Sequence, residues 1–187
     1  MIPNKVHAVL DMLRKVGYEA YVAGGAARDL HYGRVPKDWD IVLIGPSADI
    51  DLVDLLVAKA FGSVPNERHT NDDYMGESMD GRLEFVLQYA EAGLAIDILQ
   101  YSDEPKTIED QLRMFDCNLS YFWVDTTGEV RYLPDAHTIS AHVKGEVVVF
   151  DIGTVRAKER RDHLASKFPG FTFPDDDLLY KQVKGLV

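Results

Sequence analysis

Two aspartates, Asp38 and Asp40, stand one residue apart at the head of the apolar run Ile41-Val42-Leu43-Ile44. In an extended chain alternate side chains share a face, so both carboxylates project one way while Trp39 points the other. Two carboxylates that close repel each other unless a cation lies between them or one keeps its proton. Hard oxygen ligands suit Mg²⁺, which takes one or two carboxylates and fills its shell with water and substrate phosphates. Just upstream runs YVAGGAARD, residues 21–29. Gly24 and Gly25 can turn the backbone sharply and let a ligand come close to it. Arg28 adds a planar cationic fork, and the N–H groups at the start of the following helix favour the same anion. Phosphate on one side and divalent metal on the other is the arrangement of phosphoryl or nucleotidyl transfer. A further acid, Asp97, interrupts the apolar strand AIDILQY. It is costly to bury without a partner, and as a residue on a half-exposed strand it could simply face solvent.

The elements that must position these groups are legible around them. Residues 21–23 predict a strand, 26–32 a two-turn helix closed by Gly33, and Pro36 keeps the next loop from extending it. Val6, Leu10, Leu13 and Val16 recur at helical spacing over 4–16, ending at Gly17. Residues 49–61 form an amphipathic pattern with Ile50, Val53, Leu56, Val57 and Ala60 on one face. Residues 62–81 read as a long polar loop; Asp72, Asp73 and Glu77 there are solvated acids before they are metal ligands, and His69 has no assigned role. Strands over 83–89 and 94–101 form a hairpin about Glu91-Ala92-Gly93. Thr107 caps a helix running to Phe115, a strand covers 118–124, and Asp125 to Gly128 turns into another at 129–132. A short helix after Pro134 carries His137 and His142 at a spacing unsuited to a helical metal site, then a β-branched strand covers 146–150. The fold class is α/β (α+β), a mixed central sheet flanked by helices, with a head domain over 1–150 and a C-terminal helix within 151–187 packed on it.

GG-x-x-RD, a short gap containing Gly33, then D-x-D and an apolar run resembles the signature of the polymerase-β-like nucleotidyltransferases. More narrowly, it resembles the catalytic head of the bacterial CCA-adding enzymes and poly(A) polymerases. That resemblance implies a third carboxylate on a later strand, matched by Asp97, which would bind metal with Asp38 and Asp40 or accept the proton of an attacking hydroxyl. The stretch IEDQLRMFDCNLSYFWVD resembles the family block EEDLxRRDFTINAL, which contacts sugar and triphosphate; Arg113, Asp116 and Asn118 are its counterparts. Met114 and Phe115 break the family's Arg-Asp adjacency. The helix TVRAKERRDHLASKFPGF resembles the family's LRxxRAxRFAxKxGF, which implies that Arg156 and Arg160, one turn apart, reach the nucleotide; a solvated basic face is the other reading. The resemblance covers the head and the start of the neck. The neck, body and tail helices that hold tRNA in longer relatives do not follow, so a reaction short of complete CCA addition is expected.

Composition bounds these readings. With 187 residues and 46% hydrophobic content the chain can build a substantial core. Its single cysteine, Cys117, excludes an internal disulfide framework and reads as a small core residue. No run is long enough to span a membrane and the N-terminus lacks a signal-peptide pattern, so a cytoplasmic location is expected. A net charge of −11 argues against gripping duplex DNA or whole tRNA by broad electrostatics. The expected reaction is transfer of NMP from a Mg²⁺-bound NTP, at a two-metal site, to a hydroxyl on an RNA 3′ end, a protein or a small molecule, with release of pyrophosphate. Two readings stand beside it: a nucleotide- or partner-binding module that retains the fold without transfer, and an inhibitor acting through its acidic surface.

Overall fold

The computed structural model describes residues 1–70, 83–102, 104–134, 144–147 and 155–173, with the side chains of 155–157 outside that description. The alternating apolar runs build a five-stranded sheet. Its strands are β1 (Glu19–Val22), β2 (Trp39–Ile44), β3 (Glu67–Thr70), β4 (Leu83–Glu91) and β5 (Leu94–Tyr101). Their spatial order is β1-β2-β5-β4-β3. β2 and β5 run parallel, and every other pair is antiparallel. The sheet is therefore mixed, as expected.

Strand alternation sorts the side chains into two cores. Ala20, Val22, Ile41, Leu43, Ile96 and Ile98 belong to the larger, packed with Val6, Val9, Leu10 and Leu13 of α1 (Asn4–Lys15) and Val53, Val57 and Phe61 of α3 (Ile50–Phe61). The opposite phase, Val42 and Ile44, packs with Ile108 and Leu112 of α4 (Ile108–Arg113) and with Tyr121 and Leu133. Asp49 caps α3 by accepting from the N–H groups of Asp51 (2.9 Å) and Leu52 (3.1 Å). The β4–β5 loop is Ala92 and Gly93, both at positive φ, which matches the twist of a two-residue hairpin. No helix among the described residues is long and apolar enough to cross a membrane.

Three sequence expectations are corrected. The polar stretch 62–81 contains β3: Glu-Arg-His-Thr carries no apolar alternation, but its backbone is satisfied along the edge of β4. The strand expected over 118–124 begins instead with a 3₁₀ turn, Asn118–Ser120, before β6 (Phe122–Val124). Ser120 N–H donates to the Cys117 carbonyl (2.9 Å), an i→i+3 bond that an extended chain does not make, and Asn118 Nδ2 donates to the Glu146 carbonyl (3.3 Å). Val16, placed on the apolar face of the first helix, follows its last residue and is half exposed. β6 pairs with β7 (Val130–Tyr132) as the expected hairpin. Asp72, Asp73, Glu77, His137 and His142 lie outside the described residues.

The last helix, α5 (Val155–Lys167), joins the larger core through Leu164 and the following Phe168. Phe168 packs edge-on against Tyr32, with ring centroids 5.3 Å apart.

Candidate active site

The site grows from the turn between β1 and α2 (Gly25–His31). Ala23 N–H donates to the Asp40 carbonyl (3.1 Å) and Gly24 N–H to the Phe122 carbonyl (2.8 Å), so the turn is tied to both β2 and β6. Gly24 sits at φ 66°, ψ −129°, a conformation that side chains other than hydrogen rarely allow. A Cβ at Gly24 would come within 3.2 Å of the Phe115 ring. A Cβ at Gly25 would lie 3.5 Å from Arg28 Nη2 and 4.0 Å from Asp40 Oδ2. The two glycines, Arg28 and Asp40 thus converge.

Asp40 belongs to a polar row running across four strands. It is the register partner of Asp97 on parallel β5. Asp97 in turn opposes Gln88 on β4, which opposes Glu67 on β3. Register partners share a face, so Asp40 and Asp97 stand side by side on the sheet. Asp38, exposed just before β2, acts on both as a like charge. Burial pushes the Asp40 carboxyl up to about 7, with Asp38 and Asp97 adding to the rise and Arg160 and Arg28 opposing it. Asp97 is also raised, first by burial, against a lowering hydrogen bond from Gln88 Nε2 at 3.1 Å. Burial and mutual repulsion thus favour the protonated form of these carboxyls, and a cation between them would favour the charged form.

A cleft of about 140 Å³ opens beside the row. Gly24, Gly25, Asp40, Asp116, Ser120 and Arg160 supply its polar wall. Leu83, Leu99, Tyr101 and Phe115 supply its apolar wall. Arg160 Nε of α5 bonds Asp116 Oδ2 at 3.0 Å, so the C-terminal helix contributes directly to the cleft.

The remaining expected residues fall elsewhere. Arg28 is buried, and its Nε and Nη2 both donate to Asp29 Oδ1 at 3.0 Å. Lys167 of α5 also bonds Asp29, and the Arg28 guanidinium lies 5.3 Å from the Phe168 ring centroid. Arg113 is over half exposed on α4 and pairs with Asp110 at 3.6 Å; it does not line the cleft. Asn118 is buried against Glu146 rather than open to a ligand. The Arg156 side chain lies outside the described residues. Burial pushes the Cys117 thiol up to about 12, so it is a core residue and no nucleophile. Gln88, Phe115 and the Asp29–Lys167 pair are contributors that sequence reasoning missed; only the D of the GG-x-x-RD motif hinted at one of them.

The donor set suits a hard divalent cation in its chemistry: two adjacent carboxylates, a third nearby, and oxygen ligands throughout. Among the described residues no three such side chains are already gathered around one point. One or two carboxylates suffice for Mg²⁺, whose remaining ligands are water and phosphate.

A five-stranded mixed sheet with acids on adjacent parallel strands and a glycine turn beside them is the α/β fold that this chain shares with solved CCA-adding and tRNA-processing enzymes. Within that class the chain resembles the heads of CCA-adding enzymes and bacterial poly(A) polymerases. No family model matches the chain. It is 54% identical over 35 residues to the CC-adding tRNA nucleotidyltransferase of Halalkalibacterium halodurans, a match covering 19% of this chain and 9% of that protein. It is 58% identical over 53 residues to poly(A) polymerase I of Salmonella typhi, covering 22% of this chain and 11% of the relative. A tRNA-processing enzyme in its apo form superposes over 100% of this chain and 48% of its own, with TM-score 0.63 and 17% identity. The Bacillus stearothermophilus CCA-adding enzyme in complex with CTP aligns over 97% of this chain and 43% of its own, with TM-score 0.58 and 20% identity. The Thermotoga maritima CCA-adding enzyme complexed with tRNA gives TM-score 0.60 at 20% identity, over 97% and 42%. The chain spans less than half the length of each of these solved relatives.

Proposed function

We propose that this chain is a Mg²⁺-dependent nucleotidyltransferase that moves NMP from an NTP to a hydroxyl, with an RNA 3′ end as acceptor. The observation that carries the reading is the register pairing of Asp40 with Asp97 beside the Gly24–Gly25 turn. Asp38, Asp40 and Asp97 would hold the metal, which when bound neutralises phosphate charge and lowers the pKa of the attacking hydroxyl. Gly24 and Gly25 let the triphosphate approach the backbone, with Arg28 behind them and Arg160 at the cleft wall. Asp97 accepts the proton of the attacking hydroxyl, the hydroxyl oxygen bonds the α-phosphorus, and the bond to the pyrophosphate oxygen breaks. An RNA end meets only a few protein groups, which accords with a chain of net charge −11. A cytoplasmic setting accords with the single buried thiol.

One observation favours a second reading. The cleft is small for a nucleotide, Arg160 is already paired, and Arg113 and Asn118 do not reach it. A nucleotide-binding module without transfer would tolerate those departures. Incubation with Mg²⁺, each α-labelled NTP and total small RNA, beside an Asp38→Ala/Asp40→Ala control, separates the two. Label on RNA that vanishes in the control is expected; label on the protein itself would replace the RNA acceptor. NTP binding without any transfer would overturn the transferase reading in favour of the module.

A further inference from the structure

Asp97 lies between two neighbours of different character. On one side its register partner is Asp40, a like charge. On the other it is Gln88, whose Nε2 donates to Asp97 Oδ2 at 3.1 Å. Gln88 is half-buried, and the residues flanking it, Leu87 and Tyr89, point into the larger core. It therefore lies on the opposite face of β4, the face that also carries Val86, and its amide contributes nothing to the larger core.

We propose that Gln88 is a positioning residue for Asp97, holding the carboxylate in a fixed orientation beside Asp40 so that the two act together on a divalent cation. The inference rests on the site reading given above. A carboxylate pressed against a like charge turns about its terminal bond to move its oxygens apart. A donor on the far side opposes that turn. A neutral amide does so without competing for the site, whereas a lysine or arginine at 88 would supply a cation of its own. Partners that orient ligating carboxylates set affinity and rate together, and their loss typically costs about 10–100-fold. Glu67, next in the row, is an acid and cannot take over the donor role when ionised.

The test compares wild type, Gln88→Met and Gln88→Lys. Methionine keeps the length and apolar stem of glutamine but has no donor. The probes are Mn²⁺ alone and Mn²⁺ with α,β-methylene-ATP, their binding read by water-proton relaxation, with circular dichroism and thermal melting as fold controls. For Gln88→Met the expected result is an unchanged spectrum, Mn²⁺ affinity weakened about 10-fold, and kcat lowered by a similar factor while KM for the NTP holds within about twofold. Gln88→Lys, which restores a donor but adds a cation, is expected to leave Mn²⁺ binding weak. Mn²⁺ affinity and kcat of Gln88→Met within twofold of wild type would overturn the positioning role while leaving the site intact. Wild type that binds no Mn²⁺ with or without the analogue would overturn the site reading itself, and the role of Gln88 with it.

Discussion

Asp40 sits where charge is resisted, and its stability signature follows from that. Its carboxyl is raised from 3.8 to about 7 by burial first and by Asp38 and Asp97 next. Between those two values the folded chain holds a proton that the unfolded chain has released, so stability falls as pH rises through the window. The contribution is complete below about pH 4 and gone above about pH 7, on the order of 2–4 kcal/mol after allowing for the open edge of the group. Asp40→Asn is therefore expected to be more stable than wild type at pH 8 without divalent cations, and to lose little between pH 5 and 8. Urea midpoints at the two pH values check this; parallel profiles for the two proteins would contradict it. Mg²⁺ added at pH 8 is expected to raise the wild-type midpoint and leave the variant unchanged. At this scale the D-x-D pair and the acid within AIDILQY were legible because charge in an apolar strand is anomalous. Gln88 was not, because a glutamine facing away from the core of an alternating strand is ordinary until its register partner is known. The exposure of Arg113 and its i,i+3 pairing with Asp110 were not legible either, because motif position says nothing about which way a helical side chain faces.

Among the elements, the β1–α2 turn is the most constrained. Gly24 combines a positive φ with a position whose Cβ would press the Phe115 ring at 3.2 Å. Both the turn conformation and the ring contact oppose any larger residue. Gly24→Ala is expected to cost about 1–3 kcal/mol from backbone strain alone, with the ring displacement added. The double variant Gly24→Ala/Phe115→Leu separates the two terms: relief of part of the loss assigns that part to the ring, and full relief would show the backbone to be unstrained. Thermal melts of Gly24→Ala, Phe115→Leu, the double variant and wild type measure it. Helices α1 and α3 and the β4–β5 hairpin were legible because their apolar periods are clean and their ends carry Gly17, Asp49 and Ala92-Gly93. β3 was hidden because an edge strand of four polar residues draws its stability from backbone pairing, which leaves no apolar pattern. The 3₁₀ turn at Asn118–Ser120 was hidden because its Asn118 side chain bonds Glu146, 28 positions later, a tertiary partner that leaves no local signal.

For the molecule as a whole, the question is how the C-terminal helix is joined to the head. Its apolar anchor is Leu164 and Phe168, both buried in the larger core. Its polar anchor is Lys167, which bonds Asp29 beneath the glycine turn, while Asp29 also takes both donors of Arg28. These two anchors lie next to each other, since Phe168 faces the Arg28 guanidinium. Resemblance to the family's helix made this arrangement foreseeable in outline, whereas a salt bridge between residues 29 and 167 leaves no local mark in the chain. The charges predict an asymmetry. Asp29→Ala strands Arg28, whose side chain is 7% exposed, without its carboxylate, and breaking a buried pair in that way costs about 3–5 kcal/mol. Lys167→Ala leaves the Arg28–Asp29 pair whole and removes a cation at 22% side-chain exposure, for about 1 kcal/mol or less. Phe168→Ala removes a buried ring from the core and is expected to cost about 3–5 kcal/mol. Urea denaturation of the three variants gives the ranking directly. If Lys167→Ala were as damaging as Asp29→Ala, the helix would be held to the head by charge; the expected ranking instead means that packing around Phe168 holds it, and Asp29 serves chiefly to keep Arg28 beneath the turn.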